Sequence, residues 1–441
     1  MNDMPHRLLP PDGDTPNGDT PDTGFTRPYR SGTFGVLDIG TTKIVCVIAR
    51  VDSDGELRVL GCDWRQGLGV RGGNIVDLEK AERAIRACVG QAENMADTRL
   101  RAITVNLTCG QPRSHVYNVK WSLDAPAEGR PVTDHDVRGV LREGRDLSRA
   151  DGREPVHVMP LKFALDNTEH VVDPRGLYAQ TLDARLHVID GSSSSIRSLE
   201  ACLQRCELDI EAIVSAPMAA GLSTLVGDER EIGATVIDMG GGTTNVAAWY
   251  EDQLIHSAQI PMGGLHVTSD IAKGLSTPLA SAERLKTMWG NVESSPDDDQ
   301  DMLPVPRVGE PDHRVAKVPR RMVVNIIRPR IEETFETIRD KLAASGLSQA
   351  TGNRIVLTGG ASQLPGLEHL ARHILGHDVR LGQPAPVRGM PEMYTGPAFA
   401  TVTGLLRWAS SDGGMFHDLD ASRGRQGGWF HRLVNFIRDR V

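Results

Sequence analysis

Two short strings place an acid, glycines and hydroxyls at the end of an apolar run, a combination suited to holding phosphate and its cation. The first is DIGTTK, residues 38–43. Asp38 closes an apolar strand, where a ligand can reach it, and can orient Mg²⁺ through water. Gly40 admits close backbone approach. Thr41 and Thr42 supply hydroxyls and N–H groups, and Lys43 supplies a point charge for outer phosphates. The second string is DMGGGTTN, residues 238–245. Gly240, Gly241 and Gly242 cost backbone entropy and offer nothing to pack, which makes sense where N–H groups must approach a phosphate. Asp238 would then face Asp38 across a cleft and share the metal or an attacking water. A third string, LTGGASQLPGL (357–367), ends a strand in Gly359 and Gly360 and lets a helix begin close by. Such a turn can lie flat against a purine or ribose. Each string alone also fits an ordinary tight turn, but three in this order favour a nucleotide site. None has the GxxxxGK[ST] spacing of a P-loop, or GxGxxG with a ribose-binding acid at the usual interval.

These turns need rigid elements behind them. TFGVLDIGTTKIVCVIARV reads as strand, turn and strand. ATVIDMGGGTTNVAAWY repeats the pattern about 200 residues later, which suggests duplicated α/β halves. Helices are expected over 78–94, 196–206, 266–273, 281–289 and 323–344, with another in VTDHDVRGVLREGRDL opening at a Thr or Asp. RAITVNLTCG, VHVMPLKFALD and YAQTLDARLHVI read as strands, the last two within a small α+β insertion. A Ser-rich turn is expected at 192–195. Residues 291–320, polar and Pro-rich, are expected as a long hairpin or loop, with the acidic stretch 297–301 solvated. Residues 1–31, rich in Pro, Gly, Asp and Thr, read as a disordered arm.

The chain has 441 residues, enough for roughly two to four structural units. Its formal charge of −9 argues against a general nucleic-acid binder. The six cysteines form no dense framework, and Cys202 and Cys206 lack a second pair at zinc spacing, so reduced and mostly buried thiols are expected. No run approaches the ~20 apolar residues of a membrane span, and no secretory signal is visible, so a cytoplasmic protein is expected.

The order of the three turns resembles the actin, Hsp70 and sugar-kinase superfamily, over most of residues 33–408. The resemblance implies an α/β, actin-like fold of duplicated ribonuclease-H-like halves around a nucleotide cleft, with ATP and Mg²⁺ as ligands. It gives Asp38 and Asp238 the roles nearest the magnesium and attacking water. Gly240, Gly241, Gly242, Thr243 and Thr244 would hold phosphate. SAERLK resembles the superfamily's helix beside adenine and ribose, which suggests Glu283 and Lys286 as base or ribose contacts; a surface ion pair is the other reading. Two departures stand out. Asn245 replaces an Asp found in Hsp70-like proteins, so the metal leans more on Asp38 and Asp238. Where actin carries a Gln and Hsp70 a Glu, this chain has Ala216, Pro217 and Met218, so a slow Mg-dependent ATPase at most is expected.

The tail, GGWFHRLVNFIRDRV, has its own character. At 100° per residue Trp429, Phe430, Leu433, Val434, Phe436, Ile437 and Val441 share a sector of about 160°. His431, Arg432, Asn435, Arg438 and Asp439 lie opposite. Such a helix, behind a flexible linker at 409–427, can lie in the interface of an anionic bilayer. Trp429, Phe430, Leu433, Phe436 and Ile437 are the expected membrane contacts. Burial of these side chains outweighs the attraction of two surface charges.

The strings FGVLDIGTTKIVCVIA, NIVDLEKAERAI, HVMPLKFALDN with VDPRG, IPMGGLHVTSDIAKGL, IIRPRIEETFETIRDKL and VLTGGASQLPGL, with the tail, resemble the FtsA family of bacterial cell-division proteins. That resemblance implies protofilaments of the chain itself on the inner face of the plasma membrane, tethering of the tubulin-like FtsZ ring, and recruitment of later division membrane proteins. It also implies a domain map. The first core spans 32–110 and 183–214, with the inserted subdomain at 111–182. The second core spans 215–263 and 323–408. A further subdomain at 264–322 carries the FtsZ contact, and 428–441 is the membrane helix. A sugar kinase is the enzymatic alternative, but no sugar-binding constellation is visible and the tail would go unexplained. An Hsp70-type chaperone lacks room for a substrate domain after Trp408.

Overall fold

The computed structural model describes residues 32–166, 168–310, 315–346 and 352–411. The expected N-terminal arm and membrane helix lie outside the described residues, as does the expected linker beyond residue 411; its first two residues, Ala409 and Ser410, are instead the buried end of the last described helix.

The first half opens with an antiparallel meander of β1 (Gly32–Ile39), β2 (Lys43–Val51) and β3 (Leu57–Gln66). A small ribbon, β4 (Val70–Arg71) and β5 (Asn74–Ile75), leads to α1 (Leu78–Ala96) and β6 (Ala102–Leu107). The side chain of Asp77 caps α1 by accepting from the Lys80 N–H. Ala81, Ala84, Ile85, Cys88 and Ala92, spaced at three and four, then face the sheet.

The insertion follows: β7 (Arg113–Ser122), β8 (Arg130–Pro131), α2 (Asp134–Leu147), β9 (Arg153–Leu165), β10 (Thr168–Val171), β11 (Tyr178–Ala179) and β12 (Thr181–Ser192). Its four-stranded sheet runs β10-β9-β12-β7 under α2, with a core of its own around Val137, Leu141, Phe163 and Leu186. The capping box of Thr133 and Asp136 starts α2. β12 runs continuously to Ser192, so the boundary expected at 182/183 falls inside a strand of the insertion. Next come α3 (Ser193–Arg205) and β13 (Asp209–Ser215). The turn expected at 192–195 is instead mostly the first turn of α3. Serines are tolerated there because the first-turn N–H groups have no helical partner to lose.

α4 (Ala216–Thr224) and α5 (Gly227–Ile232) lead into the second half. It comprises β14 (Ala234–Met239), β15 (Thr244–Tyr250), β16 (Gln253–Ile260), α6 (Gly264–Leu275), α7 (Leu279–Trp289), the hairpin β17 (Met302–Pro306) with β18 (Val315–Pro319), α8 (Arg320–Ala344), β19 (Arg354–Thr358), α9 (Leu367–Leu375), β20 (Asp378–Leu381) and α10 (Ala400–Ser410). The first sheet is ordered β13-β6-β1-β2-β3 and the second β20-β19-β14-β15-β16. In both, a three-strand antiparallel meander is extended by two parallel strands. The duplication expected from the repeated strings is therefore a duplication of topology.

Two further expectations need correction. α10 lies within the stretch assigned to the second core, but its buried face (Val402, Leu405, Leu406, Ala409) packs with Phe34, Val36, Val45 and Val47 of the first sheet. It crosses α4 so closely that a Cβ on Gly404 would stand 1.7 Å from the Ala219 carbonyl oxygen. The acidic stretch 297–301 is not simply solvated. Asp298 is buried, accepts from the Ser295 N–H at 2.7 Å and pairs with Arg320 at 3.3 Å, while Asp299 pairs with Arg321 at 2.6 Å. The acids pin the 290s to the start of α8, where two arginines stand side by side.

Candidate nucleotide cleft

The two glycine turns have the same construction. Between β1 and β2 the Gly40 N–H donates to the Lys43 carbonyl at 2.9 Å; between β14 and β15 the Gly240 N–H donates to the Thr243 carbonyl at 2.9 Å. A glycine just past the third strand backs each turn. A Cβ on Gly67 would stand 2.6 Å from the Gly40 oxygen and 2.7 Å from the Thr41 oxygen. A Cβ on Gly263 would stand 2.6 Å from the Gly240 oxygen and 2.7 Å from the Gly241 oxygen. The strings alone did not reveal these two backing glycines.

The turns meet face to face. A Cβ on Gly241 would lie 2.3 Å from Thr42 Cγ2, and one on Gly242 would lie 2.4 Å from Thr41 Oγ1. Asp38 and Asp238 sit beneath them, 6% and 7% exposed. Burial pushes the Asp38 carboxyl up to about 6; the Lys43 ammonium opposes this, and the Asp238 charge adds to it. Burial also raises Asp238, offset by Lys43, Asn245 and Thr401. A buried acid whose charge is disfavoured by burial and by a second buried acid calls for a cation.

Amides and a hydroxyl orient the carboxylates. Asn106 Nδ2 donates to Asp38 Oδ1 at 2.6 Å, while its Oδ1 accepts from the Ile39 N–H at 2.8 Å. Thr401 Oγ1 donates to Asp238 Oδ2 at 3.3 Å, and Asn245 Nδ2 lies 3.5 Å from the same oxygen. Asn245 thus faces Asp238 as a donor, where an aspartate would repel it. Gln259 Nε2 reaches Asn245 Oδ1 at 3.1 Å and the Thr108 carbonyl at 3.0 Å, so it ties the second half to the first. Lys43 Nζ donates to the Ala398 carbonyl and lies 4.9 Å from the centre of the Phe399 ring. Sequence reasoning missed Asn106, Gln259, Thr401 and the segment 397–399. The available signal was Asn106, a lone amide inside the apolar run AITVNL, since a buried amide needs partners.

The third turn packs onto the second. Gly359 has φ +86°, and a Cβ there would stand 2.4 Å from Asp238 Oδ1. Gly360 follows it into a short 3-10 turn. Lys286 is largely buried; its Nζ meets Glu283 Oε2 at 2.7 Å, the Gly264 carbonyl at 3.0 Å and Thr268 Oγ1 at 2.9 Å. A Cβ on Gly264 would lie 3.2 Å from Ala361 Cβ. The start of α6, the Glu283–Lys286 pair on α7 and the third turn therefore meet at one place. Ala216 and Pro217 are buried at the start of α4 and offer no acid or amide. The six cysteines are free and buried, as expected.

These residues fit a magnesium nucleotide. Two buried carboxylates offer oxygens to a hydrated cation, and the glycines are positions where a side chain would fill the space between the turns.

Comparison with known proteins places the chain in a family. A family model described as "Cell division protein FtsA" matches residues 235–404, and one described as "SHS2 domain inserted in FTSA" matches residues 110–190. The cell division protein FtsA of Rhizobium meliloti is 40% identical over 388 residues, covering 86% of this chain and 87% of that one. The chain belongs to the FtsA family. Other FtsA relatives include that of Agrobacterium fabrum, 39% identical over 90% of this chain and 93% of that one, and that of Escherichia coli K12, 29% identical over 91% and 96%. Among solved structures, a PilM–PilN type IV pilus biogenesis complex aligns with TM-score 0.60 and 17% identity, covering 86% of this chain and 98% of that one. MreB5 of Spiroplasma citri bound to ADP aligns with TM-score 0.50 and 13% identity, covering 85% and 95%. Both share the actin-like fold. The segment matched by the SHS2 model coincides with the sheet β10-β9-β12-β7 and α2. As an FtsA-type member of the actin-like ATPase superfamily, the chain is a nucleotide-binding cell-division protein.

Proposed function

We propose that this chain closes on ATP and Mg²⁺ between its two glycine turns, hydrolyses the nucleotide slowly, and polymerises on the cytoplasmic face of the inner membrane at the division site. The observation that supports this best is the buried pair Asp38 and Asp238 beneath two facing, identically built turns. Bound Mg²⁺ would supply charge neutralisation for the phosphates and hold water near them. Asp38 and Asp238 would hold the cation through water, with Asn106 and Thr401 fixing their orientation. The N–H groups and hydroxyls of Gly40, Thr41, Thr42, Gly240, Gly241, Gly242, Thr243 and Thr244 would receive phosphate oxygens, with Lys43 beside them and Asn245 at the edge. Gly359, Gly360, Glu283 and Lys286 stand where base and ribose would lie. Without an acid or amide at 216–218 to orient water, turnover is expected to stay below ~1 per second.

Tethering of FtsZ is assigned to 264–322. Leu279, Met288, Met302, Val308 and Val315 are exposed there and give a partner apolar area to bury. No described helix is long and apolar enough to cross a membrane. Attachment is assigned to Trp429, Phe430, Leu433, Phe436 and Ile437, with polymerisation arraying many weak anchors and raising avidity. Later division membrane proteins would be recruited to the same assembly.

Isothermal titration tests the cleft. Wild type is expected to bind Mg-ATP at one site, and Asp238→Asn to weaken binding at least ~10-fold. Equal affinity in the variant contradicts the assignment.

A further inference from the structure

The segment 397–401 touches all three glycine turns. The Pro397 carbonyl accepts from the Gly359 N–H at 3.1 Å. Gly360, built with a Cβ, would meet Ala398 Cβ at 3.6 Å. The Ala398 carbonyl accepts from Lys43 Nζ, and the Phe399 ring lies beneath the same ammonium, 4.9 Å from centroid to nitrogen. Thr401 donates to Asp238. Phe399 is itself braced by Tyr394, with ring centres 5.1 Å apart.

Lys43 is the one cationic side chain of the first string. An ammonium held by a carbonyl dipole and an aromatic face has its charge engaged, and a phosphate must outcompete both to take it. Asn106 and Thr401 position carboxylates, but nothing in the cleft assignment gives Phe399 a task.

We infer that Phe399, with the Ala398 carbonyl, is a positioning residue that holds Lys43, and that a triphosphate must draw the ammonium away before Lys43 can serve it. The inference rests on the cleft binding a nucleoside triphosphate, and it gives Phe399 a share in discriminating triphosphate from diphosphate. The held state opposes the ligand that needs Lys43 most. Removing the aromatic face therefore favours the triphosphate over a diphosphate, which makes less demand on the lysine. Because 397–401 runs directly into α10, which packs on α4 and the first sheet, release of Lys43 also frees a contact at the start of that helix.

The test compares Phe399→Leu, which keeps bulk and loses the π face, with Phe399→Tyr, which keeps both. In nucleotide-free full-length protein, trace labelling with an amine-reactive acetylating reagent is read by mass spectrometry at Lys43, relative to exposed Lys120. Lys43 in Phe399→Leu is expected to label about two- to fivefold faster than in wild type, and Phe399→Tyr to match wild type. Unchanged labelling in Phe399→Leu overturns the inference, as does equal acceleration in Phe399→Tyr. Titration with a non-hydrolysable ATP analogue and Mg²⁺ is expected to show about two- to fivefold tighter binding by Phe399→Leu, with ADP affinity nearly unchanged. Weaker binding of the analogue would mean that Phe399 holds Lys43 in its working position, which also overturns it. If Phe399→Leu does not fold, Phe399→Met carries the same comparison. If wild type binds no nucleotide, the cleft assignment fails while the labelling still decides the Phe399 contact.

Discussion

Asp38 and Asp238 lie where their own charges are costly. Burial and the neighbouring carboxylate both disfavour ionised Asp38, and only Lys43 offsets them among the causes of its shift. Removing one charge should therefore relieve the nucleotide-free protein. Asp38→Asn keeps an oxygen to accept from Asn106 Nδ2, so it is expected to unfold at equal or higher denaturant, by about 1–3 kcal/mol, while losing Mg-dependent nucleotide binding. A variant that is both destabilised and binding-competent would contradict the account of the pair. The backing glycines are constrained by backbone, which cannot step aside as a side-chain tip can. Gly263→Ala puts a Cβ against two carbonyl oxygens of the second turn and is expected to cost about 1–3 kcal/mol, measured by denaturant unfolding.

At the scale of elements, the insertion docks β7 against the edge strand β16 of the second half. The Ser257 N–H donates to Ser114 Oγ at 3.2 Å, and that hydroxyl also meets His187 Nε2. His115 on β7, His157 on β9, His187 on β12 and His256 on β16 gather here, with Asp190 beside His115 and Lys341 near His256. Burial first, then the neighbouring histidines, pushes His187 down to about 3, with the Leu254 backbone opposing. Burial and Lys341 lower His256. His157 Nε2 accepts from the Ser215 N–H at 2.9 Å, which requires that nitrogen to be unprotonated. The sign follows from linkage. The unfolded chain takes up a proton at His187 near 6.5 while the folded one resists until about 3, so stability is full above 6.5 and falls as pH drops through that window. Between pH 7.5 and 5.5 wild type is expected to lose about 1 kcal/mol or more on this account, and His187→Gln to show a flatter profile. Identical pH profiles would contradict it.

The legibility of these elements in the sequence varied for physical reasons. Helices such as α1 and α8 were readable because one apolar face repeats at the helical period. The turns at 38–43 and 238–245 were readable because acids, glycines and threonines cluster there for local reasons. The docking of β7 on β16 and the packing of α10 on the first sheet were not, because each joins residues over a hundred positions apart and leaves no periodic trace. Asn106 stood out as a lone amide in an apolar run, but its partner Asp38 lies 68 positions away, and Gln259 reaches the Thr108 carbonyl across 151, so neither role could be read locally. Asp298 misled because a run of acids usually faces solvent, and its partner Arg320 lies past a hairpin.

At the scale of the molecule, two sheets of identical order face each other through their glycine turns, with α4 and α10 crossing beside them. That arrangement lets a ligand in the cleft touch both halves at once, so nucleotide should stiffen the whole chain rather than one loop. The tail is a separate matter of burial against lipid. Trp429→Glu, or removal of 428–441, is expected to abolish pelleting with vesicles containing anionic lipid and to leave Mg-ATP affinity within about twofold. Undiminished pelleting by the truncated chain would place the anchor elsewhere.

The central claim is that the two acids serve one magnesium nucleotide, and a cocrystal with Mg²⁺ and a non-hydrolysable ATP analogue tests it most directly. The account predicts a cation held, directly or through water, by both Asp38 and Asp238, with the phosphates against the turns at 40–43 and 240–244. A nucleotide bound outside these turns, or a cation touching neither carboxylate, would contradict it.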